Sequence, residues 1–472
     1  MIRNTSCEQL IYKGSPFELQ DISVGGVHYK VFPYGPQTLN DIFIKTAAFA
    51  DHEFIISGNI RLTFGQAFQR GKNFARNLRQ KYNIKKGNRI AVIMETGPEW
   101  AVAFMAFCFA GASPVVIPID AEGRDMVNAL ELTNCALAVA DLPSAGKIKA
   151  SGMKRPVVIP IMQRSDAISY IGATSGFSVF NLAVASGCIN DADINEARET
   201  TPDDEAMISF TPGTTGKPKG VIYSHRNITT GLMNMMLSGL LMSLRTVRDV
   251  PKQTDDALPC SLMASPFSHI GGYSQLMLTC CLGGKIVLMP EWNTARATAL
   301  IESERVRSLC GLSPAMATDL LRSNQLTNSL RVLSRLNIHG FALHRSFIRE
   351  LADEFPFINM GSGYGMAETF GAISMVSGMD MLNNPEFSGR TLPSVNVKIV
   401  DREGRETARG DHGEIWVRGA MVMRGYCSGK DDSRVVLEDG WLKTGDLGCI
   451  DQAGNLYVAD ETGLFNRKCT VQ

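Results

Sequence analysis

The residues best suited to chemistry lie in one loop rich in glycine, threonine and lysine. It reads Ser209-Phe-Thr-Pro-Gly-Thr-Thr-Gly-Lys-Pro-Lys-Gly-Val221 and lies between two apolar stretches. Hydroxyls, closely approaching backbone N–H groups and compact cations suit a polyphosphate. The loop differs from a Walker A loop, because Pro218 follows Lys217 and a strand-like run follows the loop. The plainer alternative is a hairpin turn, since these residue types are common in turns.

Further segments follow one another in an order that extends this pattern. They are Leu62-Thr-Phe64, Lys86-Gly-Asn-Arg-Ile-Ala91, Pro98-Glu-Trp100, Pro266-Phe-Ser-His269-Ile-Gly-Gly272, Tyr364-Gly-Met-Ala-Glu368-Thr-Phe, Gly413-Glu-Ile-Trp-Val-Arg-Gly419 and Gly440-Trp-Leu-Lys-Thr-Gly-Asp446-Leu. With the loop, the series resembles the adenylate-forming superfamily of acyl-CoA synthetases, peptide-synthetase adenylation domains and luciferases. It looks most like the N-terminal domain of an acyl-CoA synthetase. The chain departs from the family pattern at Pro212, where Ser is usual, and at Ala367, where Thr is usual.

The resemblance implies a role for each candidate residue. Tyr364 stacks on adenine, Asp446 accepts hydrogen bonds from the ribose hydroxyls, and His269 lines the acyl pocket. Glu368 binds Mg²⁺, a hard cation that is held by few carboxylates and keeps waters. Lys219 and Glu368 are the implied catalytic residues. The implied ATP- and AMP-binding residues are Thr211, Gly213, Thr214, Thr215, Gly216, Lys217, Lys219, Gly220, Gly340, Tyr364, Gly365, Met366, Ala367, Glu368 and Asp446.

The activity that the resemblance implies is an AMP-forming ligase reaction. ATP and Mg²⁺ activate a carboxylic acid to an acyl-adenylate, and CoA is the second substrate that completes the thioester. An acyl or aryl acid is expected rather than an amino acid, because Pro266–Gly272 contains no Asp to hold an α-ammonium group. A dehydrogenase is excluded by the lack of G-x-G-x-x-G between a strand and a helix.

The family pattern fades at the end of the chain. Asp460 fits the family's hinge position, but Glu461 stands where Arg is usual. We therefore expect residues 460–472 to be a hinge stub. The family's C-terminal domain and its lysine are expected to be absent. The ligase reaction would then be weak, or a partner chain would complete it. Two alternatives stay open: a degenerate nucleotide- or acyl-binding protein without turnover, and a truncated product of a full-length ligase.

Composition narrows the class of protein further. The 472 residues carry 47 Lys plus Arg and 47 Asp plus Glu, so the formal net charge is zero and supplies no general attraction to nucleic acid or to an anionic membrane. An odd number of cysteines without C-x-x-C favours reduced thiols and a cytoplasmic location.

Trp100–Ile119 is long and apolar enough to suggest a membrane span. Gly111 and Pro114 instead favour a buried helix, a turn and a strand.

The elements that must position these residues belong to an α/β fold. Between residues 40 and 380, buried strands such as Arg89–Met94 alternate with helical segments such as Ala67–Lys81 and Glu99–Ala110, which predicts doubly wound sheets. After residue 390, short alternating strands and tight turns predict a small β-barrel-like subdomain. We expect α/β subdomains at 1–200 and 201–389, the β-rich subdomain at 390–459 and the hinge stub at 460–472.

Overall fold

A computed structural model of the chain describes residues 7–153, 156–161, 199–211, 218–244, 258–323, 333–338, 345–354, 358–377, 379–384, 387–427 and 437–459. The helices span Leu39–Lys45, Phe64–Tyr82, Pro98–Phe109, Gly123–Leu132, Leu142–Ala150, His225–Leu244, Ile270–Leu282, Thr294–Ser303, Pro314–Arg322, Arg345–Glu354 and Met379–Asn383. Short 3₁₀ turns span Cys7–Gln9, Thr46–Phe49 and Ala367–Thr369.

The strands, in chain order, are β1 (Gln20–Val24), β2 (Val27–Val31), β3 (Glu53–Ser57), β4 (Ile60–Thr63), β5 (Arg89–Ile93), β6 (Ser113–Val116), β7 (Leu137–Asp141), β8 (Val157–Ile161), β9 (Glu205–Thr211), β10 (Lys219–Ser224), β11 (Cys260–Met263), β12 (Lys285–Leu288), β13 (Ser308–Leu312), β14 (Arg335–Ile338), β15 (Asn359–Met366), β16 (Gly371–Ser377), β17 (Gly389–Thr391), β18 (Asn396–Val400), β19 (Gly413–Arg418), β20 (Gly425–Tyr426), β21 (Leu437–Glu438), β22 (Trp441–Ile450) and β23 (Asn455–Val458). The predicted strands and helices are confirmed, with ends displaced by a few residues.

The first large sheet has the strand order β20-β10-β9-β6-β5-β7-β8. The strands from β9 to β8 run parallel, and β10 pairs antiparallel with both β9 and β20. Parallel strands bury both faces, which explains their unbroken apolar sequences. The helix Pro98–Phe109 packs here, and all of its residues except Glu99 are buried. It ends at Ala110, and Gly111, with φ of 73°, turns the chain into β6.

The apolar stretch beginning at Trp100 is therefore a buried helix, turn and strand, as the sequence predicts. Within the described part of the chain, no helix is long and apolar enough to cross a membrane.

The second large sheet follows the order β18-β19-β22-β23-β17-β16-β15-β14-β13-β11-β12-β3-β4, with β21 paired to β22. Its central strands from β15 to β3 are parallel, and both flanks are antiparallel. The strands after residue 390 thus form antiparallel hairpins, as expected, and they continue this sheet through the pairing of β17 with β16 and β23.

Two strand pairs are contributed by distant parts of the chain. The hairpin β3–β4 joins the second sheet through β12, and the hairpin β9–β10 joins the first sheet through β6. The preceding hairpin β1–β2 is a separate two-stranded sheet. The fold class is the mixed α/β architecture that the sequence predicts. The domain boundaries at 200, 389 and 459 stay a prediction.

Candidate nucleotide and metal site

The predicted phosphate loop connects the antiparallel strands β9 and β10 along the sequence. Strand β9 ends at Thr211, which pairs with Lys219 at the start of β10. Gly220 has no room for a side chain, because a Cβ there would lie 2.9 Å from Cys427 Sγ and 3.1 Å from the Phe210 ring. Gly213, Thr214, Thr215, Gly216 and Lys217 lie outside the described residues, and so does Gly340.

The second predicted segment is a tight turn between β15 and β16. Thr369 is fully buried and closes this turn: its Oγ1 accepts the Met366 N–H at 3.2 Å and lies 2.8 Å from the Gly371 carbonyl oxygen. Gly365 allows the hairpin to close, since a Cβ there would lie 2.1 Å from the same carbonyl oxygen. The turn holds Ala367 and Glu368 on a fixed backbone between the two sheets.

Glu368 is held by a residue that the sequence analysis did not single out. The Tyr426 hydroxyl donates to Glu368 Oε1 at 2.5 Å, and Lys219 Nζ lies 5.2 Å from the centre of the Tyr426 ring. The Met423 N–H donates to the Glu368 carbonyl oxygen at 2.8 Å. The two predicted catalytic residues, Lys219 and Glu368, thereby both contact one tyrosine, the first over its ring and the second at its hydroxyl.

Tyr364 and Asp446, which are 82 positions apart, also meet. The Tyr364 hydroxyl donates to Asp446 Oδ2 at 2.5 Å. Burial, and then the negative charge of Asp446, raise the pKa of Tyr364, so the phenol stays protonated and can donate. The Asp446 N–H donates to Thr444 Oγ1 at 3.1 Å, and Thr444 donates to the Ile415 carbonyl oxygen at 2.7 Å. These bonds fix the turn that carries the carboxylate.

A further tyrosine, Tyr223, supports the backbone of the turn that carries Glu368. The Tyr223 hydroxyl donates to the Ala367 carbonyl oxygen at 2.6 Å and lies 3.5 Å from the Tyr273 hydroxyl. Both tyrosines pack against Phe370, with ring centres 5.3 and 5.8 Å away. Burial raises the pKa of Tyr223, and it raises the pKa of Tyr273 to about 12. Tyr223, Tyr273 and Phe370 therefore form a neutral, fully buried layer that packs against the turn.

His269 has a less central position. It is half-buried and is the N-cap residue of the helix Ile270–Leu282, without a side-chain capping hydrogen bond. The neighbouring Phe267 is buried against Trp100, and its N–H is anchored by Thr96 Oγ1 at 2.8 Å. No contact joins His269 to Glu368 or Tyr364 within the described residues, so its role in an acyl pocket stays a prediction.

Tyr426 and Tyr223 are the residues that motif reading missed. Tyr223 reads as an ordinary apolar strand position, and Tyr426 lies in a two-residue strand that no hydrophobic period marks. No local sequence signal marks Tyr426. Its position becomes evident from the pairing of Val221 with Tyr426, which places β20 beside β10, the strand that follows the phosphate loop. Only the folded chain shows this pairing.

The fold and the site together define a class of protein: a mixed α/β protein in which Lys219, at the start of β10, lies over Tyr426, and two carboxylates accept hydrogen bonds from tyrosines. Residues 43–427 match the family described as AMP-binding enzyme, so the chain belongs to that family.

Individual relatives agree with this assignment. The chain is 26% identical over 411 residues to 4-coumarate–CoA ligase-like 9 of Arabidopsis thaliana, covering 86% of this chain and 68% of that protein. It is 26% identical over 455 residues to a long-chain-fatty-acid–CoA ligase of Bacillus subtilis, covering 91% and 77%. The fold is similar to the N-terminal domain of FACL13 from Mycobacterium tuberculosis, with a TM-score of 0.70, 19% identity and coverage of 90% of this chain and all of that one.

Proposed function

We propose that the chain activates a carboxylic acid with ATP, forming an acyl-adenylate, and transfers the acyl group to the thiol of CoA. One observation carries the proposal. Lys219 and Glu368 both contact Tyr426, and Tyr364 donates to Asp446. Tyr364 and Glu368 belong to the same β15–β16 hairpin, which groups residues from separate parts of the sequence around one turn. The similarity to CoA ligases supports the reaction class.

The nucleoside is bound by Tyr364 and Asp446. The Tyr364 ring offers a face on which a purine stacks, and its hydroxyl orients the Asp446 carboxylate through Oδ2. Asp446 Oδ1 accepts no hydrogen bond from the described residues, which leaves it for a ribose hydroxyl. The anchored turn at Thr444 fixes the position of this carboxylate before the nucleotide binds.

Glu368 fits a cation that keeps most of its water. No cluster of three or more metal-binding side chains occurs in the described part of the chain, and Glu368 is the carboxylate that we take to hold the cation. Mg²⁺ binds in this way in many nucleotide sites, through one or two carboxylates and the substrate phosphates. When bound, Mg²⁺ neutralises charge on the phosphates. The Tyr426 hydroxyl donates to Oε1, and Oε2 accepts no hydrogen bond from the described residues.

In the first step, a carboxylate oxygen of the acid attacks the α-phosphorus of ATP. A new P–O bond forms, the bond from the α-phosphorus to the bridging oxygen breaks, and pyrophosphate leaves with that electron pair. The attack brings anions together, so fixed cations lower its barrier. Lys219 supplies one such cation. In the second step, the CoA thiol loses its proton to water and its sulfur attacks the acyl carbon. A C–S bond forms, the bond between the acyl carbon and the phosphate oxygen breaks, and AMP leaves with that electron pair.

The acid is proposed to be an acyl or aryl acid, and the location to be the cytoplasm. The segment Pro266–Gly272 offers apolar and hydroxyl groups and no carboxylate for an α-ammonium group. Buried thiols outside any disulfide at Cys108, Cys135, Cys260 and Cys280 fit a reducing compartment, whereas Cys449 is disulfide-bonded.

Exchange of labelled pyrophosphate into ATP, measured with a broad panel of carboxylic acids, tests the first step. We expect exchange that depends on one class of acid and is lost in Asp446→Asn and Glu368→Gln. Formation of acyl-CoA, followed by mass spectrometry, tests the second step. A chain that binds ATP and shows no exchange with any acid would instead be a binding protein without turnover, a reading that the missing hydroxyl at Ala367 favours.

A further inference from the structure

The bond between Tyr426 and Glu368 connects the two large sheets. Tyr426 lies in β20 at the edge of the first sheet, and Glu368 lies in the turn between β15 and β16 of the second. The phenol is a neutral donor, so it restrains the carboxylate without cancelling its charge. A lysine or arginine in the same place would neutralise Glu368 and compete with a metal ion.

The position of Tyr426 is itself tied to the phosphate loop. Cys427 N–H donates to the Gly220 carbonyl oxygen and Arg424 N–H donates to the Ile222 carbonyl oxygen, each at 2.8 Å. These bonds align β20 with β10, and Lys219 of β10 lies over the Tyr426 ring. A movement of the loop strand therefore moves Tyr426, and through it the Glu368 carboxylate.

We infer that Tyr426 is a positioning residue that holds one oxygen of Glu368 so that the other faces a divalent cation bound with ATP. The inference rests on the proposed function, because it takes Glu368 to be the metal-binding carboxylate. Tyr426 contacts neither substrate nor metal in this role and acts only through Glu368. Its hydroxyl, rather than its ring, is the active part.

The test is calorimetric titration of the full chain with ATP, with and without MgCl₂ and without any acid, so that no turnover is needed. The wild-type chain is expected to bind ATP more tightly when Mg²⁺ is present. Tyr426→Phe keeps the ring under Lys219 and removes only the hydroxyl. We expect it to weaken Mg²⁺-dependent binding by about tenfold, the usual effect of losing a hydrogen bond to a charged group. Binding without Mg²⁺ is expected to stay unchanged.

Tyr457→Phe is the matched control. Tyr457 also points its hydroxyl at a carboxylate, Asp451 Oδ2 at 3.4 Å, but on β23 away from the phosphate loop. This variant is expected to bind ATP like the wild type under both conditions. Thermal unfolding of both variants identifies any general loss of folding.

The double variant Glu368→Gln/Tyr426→Phe separates positioning from a structural role. If Tyr426 acts through Glu368, the second substitution has no further effect on Mg²⁺-dependent binding once Glu368 is Gln. An additive loss, or a Tyr426→Phe chain with the wild-type response to Mg²⁺, overturns the inference. A Glu368→Gln chain that keeps the response removes Glu368 from the metal site, and the positioning role fails with it. Pyrophosphate exchange that is absent in the wild type contradicts the proposed function separately.

Discussion

Carboxylates are held in two different ways in two regions of this molecule. In the site, Glu368 and Asp446 accept hydrogen bonds from the neutral phenols of Tyr426 and Tyr364. At the far edge of the second sheet, Glu304 faces Lys285 at 2.9 Å and Arg61 at 2.8 Å, and Glu53 contacts the same two cations. Hydrogen bonding to Arg61, offset by burial and assisted by Lys285, lowers the pKa of Glu304 to about 2.

The carboxylates of the site are restrained by hydrogen bonds, whereas those at the sheet edge are neutralised by cations. A phenol fixes an oxygen and leaves the negative charge available to a ligand, whereas an ion pair uses that charge to join strands. Glu304 and Glu53 attach the β3–β4 hairpin to β12, which is a structural task. Substitutions in the two regions should therefore change different measured quantities.

The largest expected effect is on catalysis. Glu368→Gln removes the proposed metal-binding charge and should lower pyrophosphate exchange by about 10²–10³-fold, the range seen when one preorganised electrostatic group is lost. Its free energy of unfolding should change by about 1 kcal/mol, because Gln keeps a carbonyl oxygen that can accept from the Tyr426 hydroxyl. Glu304→Gln is the control and should retain exchange. Equal losses in the two variants would erase the distinction between the regions.

A buried histidine is a third kind of hydrogen-bond acceptor, one that is uncharged at neutral pH. His225 Nδ1 accepts the Leu39 N–H at 3.1 Å, and burial lowers the pKa of His225 from 6.5 to about 4. A lowered histidine pKa means that the unfolded chain binds the extra proton first, so stability falls as the pH drops from 6.5 towards 4. The loss should reach about 3 kcal/mol. His225→Asn retains an acceptor that does not titrate.

Denaturant unfolding at pH 7 and at pH 4.5 measures this loss. The wild type should lose more stability than His225→Asn between the two pH values, and parallel pH profiles would contradict the lowered pKa. Other groups titrate in both chains, so the difference between the two profiles is the quantity that reports on His225.

The charged cluster should give a smaller, purely structural effect. Glu304→Gln should lower the free energy of unfolding at pH 7 by about 2 kcal/mol, less than the full pKa shift implies because Arg61 is about half exposed. The Glu304 pKa is lowered, so this stabilisation is present above pH 4.5 and disappears as the pH falls towards 2. Chemical denaturation of both chains at pH 7 and pH 3 checks both statements.

The smallest effect on stability and exchange is expected from Tyr223, which supports the turn that carries Glu368. Tyr223→Phe removes the hydroxyl that donates to the Ala367 carbonyl oxygen and should cost about 1 kcal/mol of stability, with exchange reduced a few-fold. Tyr12→Phe, at a tyrosine that is 63% exposed, is the control and should show neither change. A Tyr223→Phe chain of unchanged stability would mean that the turn does not depend on this bond.

The sequence predicts much of this fold because its signals are local. The strand Arg89–Ile93, the helix Phe64–Tyr82 and the pair of strands that flank the glycine-rich loop follow from hydrophobic period and turn residues. The structure adds a Thr63 capping box at the start of the helix. The sequence motifs also single out Glu368 and Asp446.

What the sequence does not predict depends on pairing over long distances. Nothing local in β20 indicates that Tyr426 will lie beside Val221, and nothing in β3 indicates that Ile55 will pair with Ile286. Non-local pairing is determined by the packing of whole sheets, which a short window of sequence does not contain. Tyr426 was missed for this reason, and so was the continuation of the C-terminal strands into the second sheet.

The exchange of strands between the sheets also sets an order of events during protein synthesis. Residues 53–63 leave the ribosome early but pair with β12, which is made more than 200 residues later. The first sheet similarly waits for residues 425–426 to complete its edge. Pairings of such long sequence separation form slowly, because a large loop must close before they contribute. The nascent chain therefore cannot assemble the site until Tyr426 has been made, and a ribosome-bound chain ending before it would expose the edge of β10.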